Sequence, residues 1–138
     1  MSKQFIAAAI TFASDKHGDQ MYGDKPYSYH LLQVLDKVQE ESLVVRLTAI
    51  LHDVLEDTDA TYLEVAQAFG SDVAVAVLLL TKTEGMSYDD YIERIRSNPV
   101  ALIVKIADTL CNLTQSHKEG NLKRIRKYSK QMYLLTKK

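Results

Sequence analysis

Residues 100–113 read VALIVKIADTLCNL, and ten of these fourteen positions are apolar. So apolar a segment is expected to form a helix that is buried on nearly every side. Four polar residues interrupt it at the i, i+3, i+4 and i+7 spacing of one helix face: Lys105, Asp108, Thr109 and Asn112. A buried carboxylate needs a cation, a hydrogen-bond donor or a metal ion beside it. For Asp108, an ion pair with Lys105 and a bound metal ion are both open on this segment alone.

Helical periodicity also recurs along the rest of the chain, whereas the alternation typical of strands does not. An amphipathic first helix includes residues 5–13, and a polar loop with Gly18, Gly23 and Pro26 occupies residues 17–30. Further helices are predicted near 28–41, 43–57, 61–69, 71–82, 87–97, 100–115 and 120–136. We therefore predict an all-α protein, a compact helical bundle with one domain over residues 1–138.

Composition excludes several classes of function. The chain has 138 residues and a formal net charge of −1, so it lacks the basic excess typical of nucleic-acid or membrane-surface binders. The basic segment 123–138 keeps helical spacing and is expected to be the solvated face of a final helix. The single cysteine, Cys111, excludes an internal disulfide and suits a reducing compartment, and no stretch approaches the roughly 20 apolar residues of a membrane span. We expect a cytoplasmic protein.

An acidic segment, LHDVLEDTDAT, occupies residues 51–61. It contains four carboxylates and one histidine but neither lysine nor arginine, so its charges repel one another unless water or a cation screens them. In a helix, an apolar stripe would face the core, and the opposite face would carry His52, Asp53, Glu56 and Asp57. A solvated acidic face is the ordinary explanation, and a bound cation is the functional one.

Two histidines and two carboxylates form a candidate ligand set: His30, His52, Asp53 and Asp108. Imidazole and carboxylate suit divalent Mn, Fe, Co, Ni or Zn, and such an ion would lower the pKa of a bound water. Glu56 and Asp57 lie one helical turn beyond His52 and Asp53, so we expect them near that water as acid, base or orienting group. His17 and His117 fall outside the set, and we expect them at the surface or at a helix end.

The order His30, then His52-Asp53, then Asp108 resembles the H…HD…D signature of the HD-domain metal-dependent phosphohydrolases. Within that group, HGDQMYGDKPYSYHL, LHDVLEDTDAT and LIVKIADTLCNL are similar to the hydrolase domain of the RelA/SpoT family. The resemblance implies removal of the 3′-pyrophosphate of (p)ppGpp by a water bound to a single Mn²⁺, with the candidate set as ligands. It also implies that Glu56 and Asp57 position and deprotonate the water, and that Asn112 lines the nucleotide site.

The chain departs from the family pattern at the positions expected to recognise substrate. Met21 and Tyr22 stand where the family commonly has an Arg-Lys pair, Thr109 follows Ala107-Asp108 where arginine is usual, and Gln115 replaces a frequent threonine. Three interpretations therefore remain: an alarmone hydrolase, the same chemistry on another nucleotide or phosphate ester, and a helical module that binds metal or nucleotide without turnover. The intact Glu56-Asp57 pair argues against the third, because a structural site needs no water-activating groups.

Overall fold

The computed structural model describes residues 2–138, and helices dominate that part of the chain. It contains the helices α1 Ser2–His17, α2 Tyr27–Lys37, α3 Leu43–Leu51, α4 Val54–Asp57, α5 Tyr62–Phe69, α6 Ser71–Leu79, α7 Tyr88–Arg96, α8 Pro99–Lys118 and α9 Leu122–Thr136. The strands β1 Met21–Tyr22 and β2 Lys25–Pro26 form a small antiparallel hairpin between α1 and α2. The predicted all-α class is confirmed. None of the helices in residues 2–138 is both long and apolar enough to cross a membrane.

Two apolar clusters form the core, and α2 and α3 contribute to both. One cluster joins α1, α2 and α3 to α5 and α6 around residues such as Leu51 and Val65. The other joins the opposite faces of α2 and α3 to α7, α8 and α9 around Val104 and Ile95. The predicted core helix α8 thus packs between α3 and α9, with Asp108 buried at its centre. This packing places the polar face of α8, which includes Asp108, next to the acidic segment that follows α3.

Side-chain caps fix the beginnings of several helices. Thr61 and Glu64 form the reciprocal capping box of α5, and Ser87 accepts a hydrogen bond from the amide of Asp90 at the start of α7. Asn98 caps α8, which has a proline at its first turn and extends three residues beyond the predicted end at 115. Helix α2 ends at Lys37 rather than 41, and α6 ends at Leu79 rather than 82.

The predicted helix 43–57 is wrong in one respect, because the chain breaks at His52-Asp53 into α3 and the single turn α4. At Asp53 the backbone has φ −105° and ψ 1°, outside the helical region. The imidazole Nδ1 of His52 lies 2.7 Å from the carbonyl oxygen of Ala49. In an unbroken helix that carbonyl would accept from the amide of Asp53, so the side chain competes with the backbone at this point.

The predicted loop 17–30 is also more ordered than expected. Helix α1 continues to His17, Met21 pairs with Pro26 and Tyr22 with Lys25, and α2 begins directly after Pro26. The turn glycine Gly23 has φ +61°, a left-handed conformation that glycine adopts without strain. A Cβ atom at this position would also lie 2.8 Å from the side-chain amide nitrogen Nε2 of Gln115 on α8. The hairpin is therefore held closely against α8.

Candidate metal centre and adjoining cleft

The break after α3 turns the imidazole of His52 into the protein interior. Its Nδ1 donates to the Ala49 carbonyl, which leaves Nε2 as the atom that faces the acidic residues. Nε2 lies 3.1 Å from Asp53 Oδ2 and 3.3 Å from Asp108 Oδ1. It is buried, and in the described residues no group meets it with hydrogen-bonding geometry. A backbone carbonyl on one nitrogen and an open second nitrogen is the arrangement typical of a metal-binding histidine.

The two oxygens of the Asp108 carboxylate have different hydrogen-bond partners. Oδ1 lies 2.9 Å from Nε2 of His30 and accepts a hydrogen bond from the Asn112 amide at 3.1 Å. Oδ2 accepts from the Lys105 ammonium at 3.0 Å. Burial alone would raise the pKa of Asp108, but Lys105 and His52 outweigh it and hold the pKa well below its usual range. The ion pair and a metal-ligand role are therefore compatible, because each involves a different oxygen.

Asp53 lies at the end of α3, where the backbone break brings its carboxylate to His52. Burial opposes its ionisation, yet the neighbouring imidazole lowers the pKa of Asp53 to about 2. Its Oδ2 also accepts a hydrogen bond from the hydroxyl of Tyr27, the first residue of α2. Burial, followed by the charge of Asp53, raises the pKa of that hydroxyl well above its ordinary value, so it remains a donor. Tyr27 thus fixes the orientation of a candidate ligand.

These side chains converge on one point, and their chemistry fits a divalent cation. One ligand atom each from His30, His52 and Asp108 lies within 4.8 Å of the others, and Asp53 adjoins the same His52 nitrogen. Two carboxylates here face an imidazole nitrogen without a hydrogen-bond partner, so the site needs positive charge from a proton or a metal. Two imidazoles and two carboxylates are the ligand types that Zn²⁺, Mn²⁺ and Fe²⁺ accept.

A cleft of about 590 Å³ opens beside this point, and Asp53 and Asp108 form part of its wall. Glu56 and Asp57 of α4 also line it; both are open to solvent, and the Glu56 carboxylate is partly buried against the cleft wall. Glu56 Oε1 accepts from the Lys82 amide at 2.7 Å, and burial raises the pKa of Glu56 above its ordinary value. Asp57 Oδ2 accepts from the Gln20 amide at 3.0 Å. Two oriented carboxylates therefore stand next to the candidate ligands, in a space large enough for a nucleotide.

A second part of the cleft lining, here called the basic wall, is basic and aromatic. Its cations are Lys82, Arg124 and Lys127, and the last two come from α9. Arg124 packs against the ring of Tyr128, with 5.6 Å between the guanidinium carbon and the ring centroid, and is also paired with Glu119 at 3.0 Å. The cleft is thus acidic where it could hold a metal and basic where it could hold phosphate groups.

Comparison with known proteins identifies the family. No protein-family model matches the chain. It is 36% identical over 123 residues to the human guanosine-3′,5′-bis(diphosphate) 3′-pyrophosphohydrolase MESH1, covering 78% of this chain and 67% of that protein. It is 33% identical over 141 residues to the Aquifex aeolicus protein named guanosine-3′,5′-bis(diphosphate) 3′-pyrophosphohydrolase, covering 93% of this chain. The chain belongs to the RelA/SpoT-type pyrophosphohydrolase family.

A solved structure agrees with this relationship. The metazoan orthologue of SpoT, described as hydrolysing ppGpp, superposes with a TM-score of 0.80 at 25% identity, over 96% of this chain and 86% of that one. The chain spans 20% of the length of the Aquifex relative and about two thirds, 67%, of the human one. Hydrolases of this family are metal-dependent, and the cluster of His30, His52 and Asp108 is the candidate site for the ion.

The unusual residues of this family member are located as follows. Met21 lines the cleft and is 56% exposed, whereas Tyr22 is buried, with its hydroxyl 2.9 Å from Asn112 Oδ1. Thr109 is buried and donates to Gln131 of α9 at 2.7 Å; Gln131 lines the cleft, whereas Thr109 does not. Gln115 lines the cleft and donates to Glu119 at 3.0 Å. Asn112 also lines the cleft, with its amide engaged by Asp108 and Tyr22 at its two ends.

Three residues near the site were not among the predicted site residues: Tyr27, His17 and Gln20. His17 lies at a helix end, the last residue of α1, as one of the two expected alternatives has it, but it is not at the surface: it is 6% exposed and packs on Tyr27 with ring centroids 4.6 Å apart. His117, in contrast, is exposed near the end of α8 as expected. For His17 and Gln20 the sequence signal is HGDQ, residues 17–20, a polar motif within the predicted loop that does not indicate a partner; Tyr27 lies outside it.

Proposed function

We propose that this protein is a metal-dependent hydrolase that removes the 3′-pyrophosphate of (p)ppGpp, with Mn²⁺ as its ion and residues 1–138 as one hydrolase domain. The observation that carries the proposal is the convergence of His30, His52 and Asp108 beside a cleft that Lys82, Arg124 and Lys127 also line. The relatives named as guanosine-3′,5′-bis(diphosphate) 3′-pyrophosphohydrolases support the choice of substrate. A nucleotide substrate and the single cysteine accord with a cytoplasmic location.

In this proposal His30, His52, Asp53 and Asp108 hold the ion, and Lys105 fixes the second oxygen of Asp108. The ion would supply Lewis-acid activation of a water and of the phosphate it attacks. The Ala49 carbonyl keeps the proton of His52 on Nδ1, so Nε2 is the nitrogen that binds. Tyr27 holds Asp53 by its hydroxyl.

Glu56 and Asp57 act on the attacking water, Glu56 as the acid–base group and Asp57 as the orienting group. Partial burial raises the pKa of Glu56, which makes it a stronger base than an ordinary surface glutamate. Glu56 accepts a proton from the attacking water as a P–O bond forms at the phosphorus attached to the ribose 3′-oxygen. The bond from that phosphorus to the 3′-oxygen breaks, Glu56 passes the proton taken from the water to the 3′-oxygen, and the two phosphates leave as pyrophosphate. Asp57 orients the water through its second oxygen, since Gln20 holds Oδ2.

Recognition of the substrate falls to the basic wall and to Asn112. Lys82, Arg124 and Lys127 offer three cations to the 5′- and 3′-phosphates of a highly anionic nucleotide. Asn112 lines the cleft with an orientation fixed by Tyr22, so it offers the nucleotide a rigid polar contact. No nucleic acid or membrane is needed as a partner.

A second candidate keeps the chemistry and changes the nucleotide. It is favoured by Met21 and Tyr22, which stand where the family commonly has an Arg-Lys pair. Met21 presents an exposed thioether side chain to the cleft, and the Tyr22 ring is buried against His30. These residues offer the substrate no charge, so a less highly phosphorylated nucleotide is the alternative.

A turnover assay separates these functions. Metal-stripped protein is reloaded with Mn²⁺ and, in parallel, with Zn²⁺ or Mg²⁺, then given ppGpp, GTP, GMP and a generic phosphodiester, with products separated by anion exchange. Pyrophosphate release from ppGpp, fastest with Mn²⁺, is the expected result. Hydrolysis of another substrate with silence on ppGpp would replace the proposal by the second candidate. Silence on all four despite bound metal would indicate a binding module without turnover.

A further inference from the structure

A chain of hydrogen bonds links the end of α1 to the exposed carboxylate of Asp57. His17, the last residue of α1, lies 2.8 Å through Nδ1 from Gln20 Oε1. The Gln20 amide nitrogen lies 3.0 Å from Asp57 Oδ2. These three residues come from two segments separated by 37 positions, so the contact depends on the tertiary fold. It joins a buried histidine to a residue of the cleft.

The partners assign the direction of each hydrogen bond. The Asp57 carboxylate only accepts, so the NH₂ group of Gln20 faces it and the amide oxygen faces His17. His17 must then carry a hydrogen on Nδ1. If the side-chain amide of Gln20 were reversed, its Oε1 would face Asp57 Oδ2, and neither oxygen can donate a hydrogen bond. Only one orientation of Gln20 therefore satisfies both neighbours.

Gln20 is also held by its backbone. Its amide donates to the carbonyl of His17 at 3.0 Å, and its carbonyl accepts from the amide of Tyr27 at 3.0 Å. The His17 ring packs on the Tyr27 ring at an interplanar angle of 32°. Gln20 is thus tied to the end of α1 and the beginning of α2. Asp57, in contrast, is an exposed residue of the single turn α4, and its carboxylate has several accessible rotamers.

We propose that His17 and Gln20 are positioning residues that select the catalytic rotamer of Asp57. The inference rests on the proposed function, because it assigns to Asp57 the orientation of the attacking water. Gln20 holds Oδ2, which leaves Oδ1 for the water, and His17 holds the amide of Gln20 in the one productive orientation. The motif HGDQ therefore acts on catalysis through Asp57, without contact with the substrate.

The first test replaces Gln20 by a side chain of similar length without polar atoms. Gln20→Met should lower kcat roughly tenfold to a hundredfold, as expected for a lost hydrogen bond to a charged group, and leave KM within about twofold. Bound Mn²⁺ should match the parent, because Gln20 contacts none of the candidate ligands. Thermal unfolding is measured in parallel, since the variant leaves the buried His17 Nδ1 without its partner, and kcat is compared below the unfolding range of both proteins. Parental kcat in Gln20→Met would overturn the inference.

The second test separates the hydrogen bond of His17 from its packing. His17→Asn keeps a donor near the position of Nδ1 and removes the ring, whereas His17→Phe keeps a ring against Tyr27 and removes the donor. The inference expects lower kcat in His17→Phe and at least partial recovery in His17→Asn. A purely structural role predicts the reverse order, and that result would overturn the role given to His17.

A double-mutant cycle of Gln20→Met with Asp57→Asn tests whether Gln20 affects kcat through Asp57. If Gln20 acts through Asp57, Gln20→Met should reduce kcat no further in the Asp57→Asn background. Independent, multiplicative losses would overturn the inference while leaving the proposed function intact. Parental activity in Asp57→Asn alone would instead show that the proposed function assigns Asp57 a wrong role. The two failures are therefore distinguishable.

Discussion

The ring of Tyr22 stacks on the imidazole of His30, with ring centroids 4.3 Å apart and planes 16° apart. The hydroxyl donates to Asn112 Oδ1 at 2.9 Å, and the Cys111 carbonyl lies 3.3 Å away. Burial raises the pKa of this hydroxyl above its usual range, so it remains a donor. Tyr22 therefore supports a candidate ligand and a cleft residue at once, and its ring is committed to His30.

Tyr22→Phe keeps the stacked ring and removes the hydrogen bond. We expect the free energy of unfolding to fall by about 1 kcal/mol and KM to rise, because Asn112 loses the group that fixes its amide. Urea unfolding and steady-state kinetics measure the two effects. Tyr133→Phe is the matched control, since Tyr133 is 65% exposed. Equal stability and equal KM in the parent and Tyr22→Phe would contradict this role.

Removal of a candidate ligand should abolish metal binding and turnover together. His52→Ala deletes the nitrogen that faces both carboxylates, and Asp53→Ala deletes one of those carboxylates. Metal content after dialysis, measured by mass spectrometry, and turnover with added Mn²⁺ report the two losses. His117→Ala, an exposed histidine near the end of α8, controls for histidine number. Stoichiometric tight Mn²⁺ in His52→Ala would exclude this residue as a ligand.

Tyr27→Phe tests whether a residue that is not a candidate ligand, but holds one in place, affects metal affinity. The hydroxyl of Tyr27 donates to Asp53, and loss of such an outer partner typically weakens metal affinity by about 10- to 100-fold. Titration with Mn²⁺ by calorimetry measures the change. The phenylalanine ring keeps its packing on His17, so unfolding should remain cooperative. Unchanged affinity would mean that Asp53 is oriented without Tyr27.

The periodicity of the sequence predicts the helices of this fold because their apolar faces repeat over several turns. It does not predict the break at His52, which depends on one side chain competing for the Ala49 carbonyl. It also does not predict the hairpin, because strands of two residues are too short to show alternation. Both exceptions lie at the candidate site, where local structure follows from single hydrogen bonds.

The candidate ligands can be named from the sequence because Asp108 interrupts an apolar helix and because His30, His52-Asp53 and Asp108 follow the order of a known family signature. The residues that orient them cannot. Tyr27 and Gln20 act through hydrogen bonds to Asp53 and Asp57, which lie 26 and 37 positions further along the chain. Nothing in the local sequence of either residue encodes such a partner. The same holds for Thr109, which the fold directs toward Gln131.

Glu56→Gln should leave the metal bound and slow turnover by a factor on the order of 10² to 10⁴, as for a lost acid–base group. Burial raises the pKa of Glu56, so its basic form is lost at a higher pH than for an ordinary glutamate. The parent should therefore lose kcat as the pH falls through this raised pKa, and Glu56→Gln should lack that acidic limb. A pH profile of kcat for both proteins measures the difference, and full activity in the variant would refute the role.

The basic wall of the cleft should set substrate affinity rather than the chemical step. Arg124→Gln and Lys127→Gln each remove a cation from the cleft, so we expect KM for ppGpp to rise several-fold with kcat within about twofold. The parent should also show KM increasing with salt, because ions screen exposed phosphate contacts, and the double variant should show a weaker dependence. Lys123→Gln and Arg126→Gln are matched controls, since both residues are exposed on the same helix outside the cleft lining. An equal rise of KM in the control pair would mean that the charge of α9 as a whole, rather than two positioned cations, attracts the nucleotide.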